Sequence, residues 1–183
     1  MYNSSINNAV AFLLESGVIA YPTEYCYGLG CDPMNYGAVK RILHIKHRHW
    51  GQGLILIASD LDQLGPFIDL SDEQLLEEPR STWPGPHTWL LPALSRAPKW
   101  IRGHHDSIAV RIPNHPTAIA LCRHFGAAIV STSANRTGRP PLRKGLHVRR
   151  EFGTDIDFIV DAPVGKMTAP STIQDAMSGA IIR

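Results

Sequence analysis

The chain has 183 residues, of which 44% are hydrophobic and 19% charged, and its formal net charge is +2. That length suits one domain over residues 1–183, and so apolar a composition excludes a disordered or heavily solvated chain. The small charge surplus excludes bulk attraction to nucleic acid, and no apolar run approaches the ~20 residues of a membrane span.

Ile6, Val10, Leu13 and Leu14 recur at helical spacing, with Asn3, Ser4 or Ser5 able to cap the start and Gly17 the end. Val18 to Tyr21 reads as a short buried strand, which Pro22 breaks to open a glycine-containing loop from Pro22 to Pro33. The spacing of Val39, Ile42 and Leu43 predicts a helix over about 36–47. Leu54 to Ala58 is apolar on both faces and reads as a central strand. Residues 69–78 hold five of the 16 acids and suit a surface helix. Residues 83–93 are a turn, Trp83-Pro84-Gly85-Pro86, feeding a strand. Ile108 to Ile112 is a strand stopped by Pro113, and His115 to Phe125 a helix with Gly126 at its cap. Ala127 to Thr132 forms a strand running into Ser133-Ala134-Asn135. Residues 136–150 then carry six Arg or Lys and no acid, and short strands are expected at 158–161, 171–174 and 180–183. The implied fold is a single α/β domain with a twisted mixed sheet flanked by helices.

The amino-terminal stretch lacks the basic start and apolar run of a signal peptide. Cys26, Cys31 and Cys122 are odd in number and have no metal-ligand spacing, so a reduced, cytoplasmic setting is expected. Phosphate-binding, dinucleotide-binding, zinc-protease and nucleophile-elbow motifs are all absent. His44 and His47 lie one helical turn apart, without a third ligand in reach, and read as surface residues.

Four polar clusters sit where predicted elements end, which is where sites on α/β sheets form. Pro22-Thr23-Glu24-Tyr25-Cys26-Tyr27-Gly28-Leu29-Gly30 is either a tight turn with a buried Tyr27 or a loop whose glycines let the backbone approach a ligand. Lys46-His47-Arg48 is either an ordinary basic helix end or an anion clamp. Arg111 lies in an apolar strand and must meet a carboxylate, of the protein or of a ligand. Ser131-Thr132-Ser133-Ala134-Asn135 can bond phosphate or cap its own turn.

In this order the clusters resemble the YrdC-like family, and within it the short, single-domain TsaC-type members, which are threonylcarbamoyl-AMP synthases. The resemblance spans the chain through VIAYPTE, YGLGCDP, Lys46 and Arg48, GLILIA, WPGP, IAVRIP, STSAN and Pro170-Ser171-Thr172. It implies a concave sheet face that binds ATP and L-threonine. Threonine's amine takes up carbon dioxide or bicarbonate, and the carbamate oxygen attacks the α-phosphate of ATP. Pyrophosphate leaves, and the adenylate passes to a separate tRNA threonylcarbamoyl-transferase complex. Such chemistry needs phosphate charge neutralised more than it needs a protein nucleophile.

By the same resemblance, Lys46 and Arg48 are the catalytic cations on the ATP phosphates. Gln52, Ser107, Ser133, Asn135 and Arg183 join them on the ATP side. Thr23, Tyr25, Tyr27, Arg111, Ser131 and Ser171 are implied on the threonine side. Magnesium is implied with ATP, with no dedicated protein metal site. Three positions depart from the family pattern: Tyr25 replaces a threonine, Gln52 a lysine or asparagine, and Asp161-Ala162-Pro163 an Asp-Gly-Gly run. The rival reading is an RNA-binding module without activity, resting on the basic run 136–150; weak tRNA binding is compatible with either.

Overall fold

The computed structural model describes the backbone of residues 2–183 and the side chains of residues 3–183. Helix α1 covers Tyr2–Leu14, strand β1 Ile19–Pro22, β2 Tyr27–Gly30 and α2 Tyr36–Ile45. Strand β3, Ile55–Ile57, precedes α3, Glu73–Thr82, and β4, His87–Pro92. Next come α4, Lys99–Arg102, β5, Ser107–Arg111, α5, Pro116–Phe125, and β6, Ile129–Ser133. Helix α6, Gly145–Phe152, and strands β7, Phe158–Ile159, and β8, Thr172–Asp175, complete the order.

The eight strands form one mixed sheet in the order β7-β1-β2-β6-β3-β5-β4-β8. Pairs β1–β7, β3–β5 and β4–β8 are parallel and the others antiparallel. Side chains alternate across the sheet, as a strand dictates. On one face, Ile19 and Tyr21 of β1 and Ile129 of β6 join Ile6 and Leu13 of α1 and Leu121 of α5. On the other, Val18, Ala20, Leu29 and Val130 pack with residues of α2 and α6, among them Ile42 and Val148. With both faces covered, β1 is buried along its whole length.

The two large helices on the first face, α1 and α5, contact each other and β1 but leave the middle of the sheet uncovered. The register shows what lies there. Ile55 is opposite both Ala109 and Ser131, and Leu90 is opposite Ala109. The same face therefore presents Ser107, Ala109 and Arg111 of β5, Ser131 and Ser133 of β6, Thr88 and Leu90 of β4, and Gly28 of β2.

Several elements differ from the sequence expectation. Residues 27–30 are a strand and not part of a loop, because glycines at 28 and 30 leave no period-two side-chain signal. Helix α2 stops at Ile45, two residues short, and His47 turns the chain with φ of 47°. Helix α4 is not among the expected elements, and α6 begins inside the basic run and ends two residues beyond it. Strand β7 is two residues long, and the segment 180–183 makes only an isolated bridge, Gln174 to Ile181.

Candidate active site

The uncovered sheet face is the floor of a cavity of about 530 Å³. Its walls come from the loop after β1 (Thr23, Tyr25, Cys26), the segment after α2 (Arg48, Gln52, Gly53) and the segment 102–105 before β5. Pro141 and the stretch Pro170, Ser171, Ile182 and Arg183 complete the rim. Of the sequence-implied residues, Thr23, Tyr25, Tyr27, Arg48, Gln52, Ser107, Arg111, Ser131, Ser133, Ser171 and Arg183 line this cavity. Lys46 and Asn135 do not.

The reason lies in their hydrogen bonds. Lys46 is buried, and its Nζ donates to the Ser133 carbonyl (2.6 Å), the Asn135 carbonyl (2.5 Å) and Asn135 Oδ1 (2.8 Å). Burial first, and then the neighbouring Arg48 cation, pushes its pKa down to about 8. Three oxygen acceptors nevertheless keep it protonated at neutral pH. Asn135 is used in full by the same turn: Oδ1 also accepts from Ser133 Oγ at 2.6 Å, and Nδ2 donates to the Arg139 carbonyl at 2.6 Å. The pair thus fastens the β6 turn that carries Ser133 to the end of α2.

Arg48 is held differently. Its Nε and Nη2 donate to the Gly53 carbonyl at 3.1 and 2.9 Å, which aligns the guanidinium along the cavity wall. Burial lowers its pKa from the usual arginine range without discharging it.

Arg111 stands at the other end of the floor. Its Nε donates to the Gly85 carbonyl at 2.9 Å, and its Nη2 is ion-paired with Glu24 Oε1. The carboxylate that a strand arginine demands is therefore supplied by the protein, from 87 positions away. Glu24 Oε1 also accepts the Asn114 amide at 2.7 Å, while the buried Oε2 has no partner among the described residues. The turn 83–86 contributes through Gly85, so it shapes the site besides bracing the strand. Arg111 Nη1 makes no hydrogen bond among the described residues, which leaves one arm of the fork for a ligand carboxylate.

Around this arginine the polar groups are small. Ser171 Oγ lies 2.9 Å from Thr88 Oγ1, and the Ser171 carbonyl accepts from Arg183 Nη2 at 3.1 Å. Tyr27 is different: strand alternation turns its side chain to the opposite face, beside Gly145 of α6, where its hydroxyl donates to the Ala162 carbonyl at 2.7 Å and burial raises its pKa. Thr23 Oγ1 donates to the Cys26 carbonyl at 2.8 Å, closing the loop on itself. Burial pushes the Cys26 thiol up to about 11, so it is a neutral wall and not a nucleophile. Among the described residues no three His, Cys, Asp or Glu side chains are grouped to hold a metal ion.

The basic run is largely spoken for at its start. Arg136 pairs with Glu151 at 2.9 Å and Asp155 at 3.0 Å, and covers the Phe152 ring at 5.2 Å. Arg143 lies over the Tyr25 ring, again at 5.2 Å. No described helix is long and apolar enough to cross a membrane.

The family model for Sua5, YciO and YrdC, described as telomere recombination, covers residues 11–183. The chain belongs to the Sua5/YciO/YrdC family. A Coxiella burnetii (strain RSA 493 / Nine Mile phase I) protein named threonylcarbamoyl-AMP synthase is 47% identical over 182 residues, 100% of this chain and 98% of that one. A Xylella fastidiosa (strain 9a5c) protein of the same name is 47% identical over 181 residues, 98% of this chain and 97% of that one. Sua5 of P. abyssi, solved in complex with L-threonine, superposes with a TM-score of 0.90 at 32% identity, over 97% of this chain and 53% of that one. This chain thus spans about half of that Sua5.

Within the Sua5/YciO/YrdC frame, Glu24 is the residue that the sequence reading left out of the site. Its signal was present: an acid in the loop after β1, and a strand arginine needing an acid. Nothing local in the sequence joined the two. Arg102, His105 and Thr88 also line the cavity without having been singled out.

Proposed function

We propose that this chain is a threonylcarbamoyl-AMP synthase. Full-length identity of 47% to proteins of that name carries the reading, and the layout of the cavity supports it. Bicarbonate and the threonine amine give a carbamate and water. A carbamate oxygen attacks the α-phosphorus of ATP, the bond to the β-phosphate oxygen breaks, and pyrophosphate departs with its electron pair.

The residues divide by pole. Arg48, with Gln52, Ser107 and Ser133, faces the triphosphate and offsets the charge that grows on the leaving pyrophosphate; Arg183, tied to the Ser171 carbonyl near Arg111, adds a cation from the opposite rim. Lys46 and Asn135 act on the same pole through the turn they fasten, Lys46 adding a buried positive charge. Arg111 receives the threonine carboxylate on its free arm, with Thr23, Tyr25, Ser131 and Ser171 around the side chain, while Tyr27 braces the strand from the opposite face. No protein nucleophile is required, in keeping with a neutral Cys26. Magnesium, carried in by the nucleotide, would share the neutralisation of triphosphate charge with Arg48 and would need no carboxylate cage from the protein. The product is consumed by a separate tRNA threonylcarbamoyl-transferase, and the setting is cytoplasmic.

The test is incubation with ATP, L-threonine and bicarbonate in the absence of tRNA, with the mixture resolved by mass spectrometry. Threonylcarbamoyl-AMP is expected. Unchanged ATP under these conditions contradicts the proposal.

A further inference from the structure

A second hollow of about 500 Å³ lies on the other side of Arg48, between α2 and α4. Tyr36, Lys40 and His44 are spaced four residues apart and share one face of α2, with Leu43 beside them as an apolar floor. Lys99 and Trp100 of α4 face them, and Trp50 stands at one end. The Tyr36 and Trp100 rings are 5.3 Å apart and tilted by 59°, so together they form a notch and not a flat platform. Trp100 Nε1 donates to the Pro33 carbonyl at 3.0 Å, which fixes one wall of the notch. Tyr36 is 55% exposed and Trp50 40%, although burial of such rings would be favourable.

The charges around the notch have one sign. Lys40 and Lys99 have no ion-pair partner among the described residues, and no carboxylate lines the hollow. Other exposed cations of the chain are paired: Arg41 with Asp157 and Arg80 with Glu73. Open aromatic rings over an apolar floor, with charge at the edge, are what the centre and rim of a protein–protein interface supply. A purely apolar partner would leave both lysines unmatched. A planar base would lie flat on only one of two tilted rings. A branched aliphatic side chain has the thickness to fill the angle between them. The complementary surface therefore presents carboxylates on either side of such a side chain, as one face of an acidic amphipathic helix does.

We propose that this hollow docks an acidic amphipathic segment of a partner protein. An aliphatic side chain seats in the notch between Tyr36 and Trp100, and flanking carboxylates pair with Lys40 and Lys99. The site does not depend on the synthase reading. It does border the cavity, because Arg48 lines both hollows.

The test titrates the full chain into a fluorescein-labelled helical peptide, with leucines along one face and glutamates beside them, and follows anisotropy. Saturable binding is expected, and replacing the leucines by serines should abolish it. Tyr36→Ala should weaken binding by roughly ten-fold, the loss of one central interface ring. Lys40→Glu combined with Lys99→Glu should weaken it at least as much. The same double variant should gain binding to the matching peptide with lysines for glutamates, since opposite charge sets the choice of partner. Pyrophosphate release from ATP, threonine and bicarbonate should stay unchanged in both variants. Tyr36 makes no side-chain hydrogen bond among the described residues and is half-exposed, so Tyr36→Ala leaves the fold intact. No binding by the unaltered chain would overturn the proposal, as would variants that bind as tightly as it does. An oligoriboadenylate that displaces the labelled peptide at lower concentration than the unlabelled peptide does would also overturn it, in favour of a nucleic acid.

Discussion

At Arg111 a single side chain serves the fold and the site together. One arm is tied to Glu24, the Nε to Gly85, and the remaining arm is free for a ligand. Arg111→Lys removes the two-point fork while keeping the charge. Threonine affinity should then fall by more than ten-fold, the loss of a charge-assisted hydrogen bond, with ATP affinity little changed. Equal losses for both substrates would make the pair purely structural. Lys46 carries a different signature. The unfolded chain keeps this proton to near 10.5, whereas the folded chain releases it near about 8. Across that window the unfolded state binds more protons, so stability rises with pH. The buried cysteines, with raised pKa values, act in the opposite sense above about pH 9, so the test is a difference: denaturant unfolding at several pH values should give the natural chain a more positive stability slope than Lys46→Met. Equal slopes in the two would mean that the lysine is solvated.

At the level of elements, what could be read depended on whether the signal was local. The apolar spacing of α1, α2 and α5 and the apolar runs of β3, β5 and β6 gave those elements within a few residues. Strand β2 escaped because its two glycines stand where Tyr21 fills the same sheet face. A Cβ on Gly30 would lie 2.6 Å from the Val130 carbonyl and 2.8 Å from the Tyr21 ring. Gly30→Ala should accordingly destabilise the fold by ~1–3 kcal/mol, an overpacking cost that a shifted thermal midpoint would report. An unchanged midpoint would show that β2 can move. The site followed the same logic. Motif residues on element ends could be placed from the chain alone, since strand alternation sends Ser107, Arg111, Ser131 and Ser133 to one face. The direction of Lys46 and the Glu24–Arg111 pair depend on tertiary contacts, which no local spacing encodes.

For the molecule as a whole, coverage of the sheet decides where chemistry happens. Helices α1 and α5 occupy one part of a face and leave the rest open, so polar side chains collect over a floor that includes Ile55, Leu90 and Ala109. Arg48 stands on one side of this floor and Arg111 on the other, and the proposal gives the first to the triphosphate and the second to the amino-acid carboxylate. On that proposal two substrates are joined through a one-carbon unit without need of a covalent enzyme intermediate. The most direct measurement is pyrophosphate release in carbon-dioxide-depleted buffer, with ATP and L-threonine present and bicarbonate either added back or withheld. Release should depend on the added bicarbonate and need no tRNA, because the attacking oxygen exists only after threonine's amine has captured the one-carbon unit. Equal release with and without bicarbonate would mean that threonine's own carboxylate attacks the α-phosphorus, and would contradict the account.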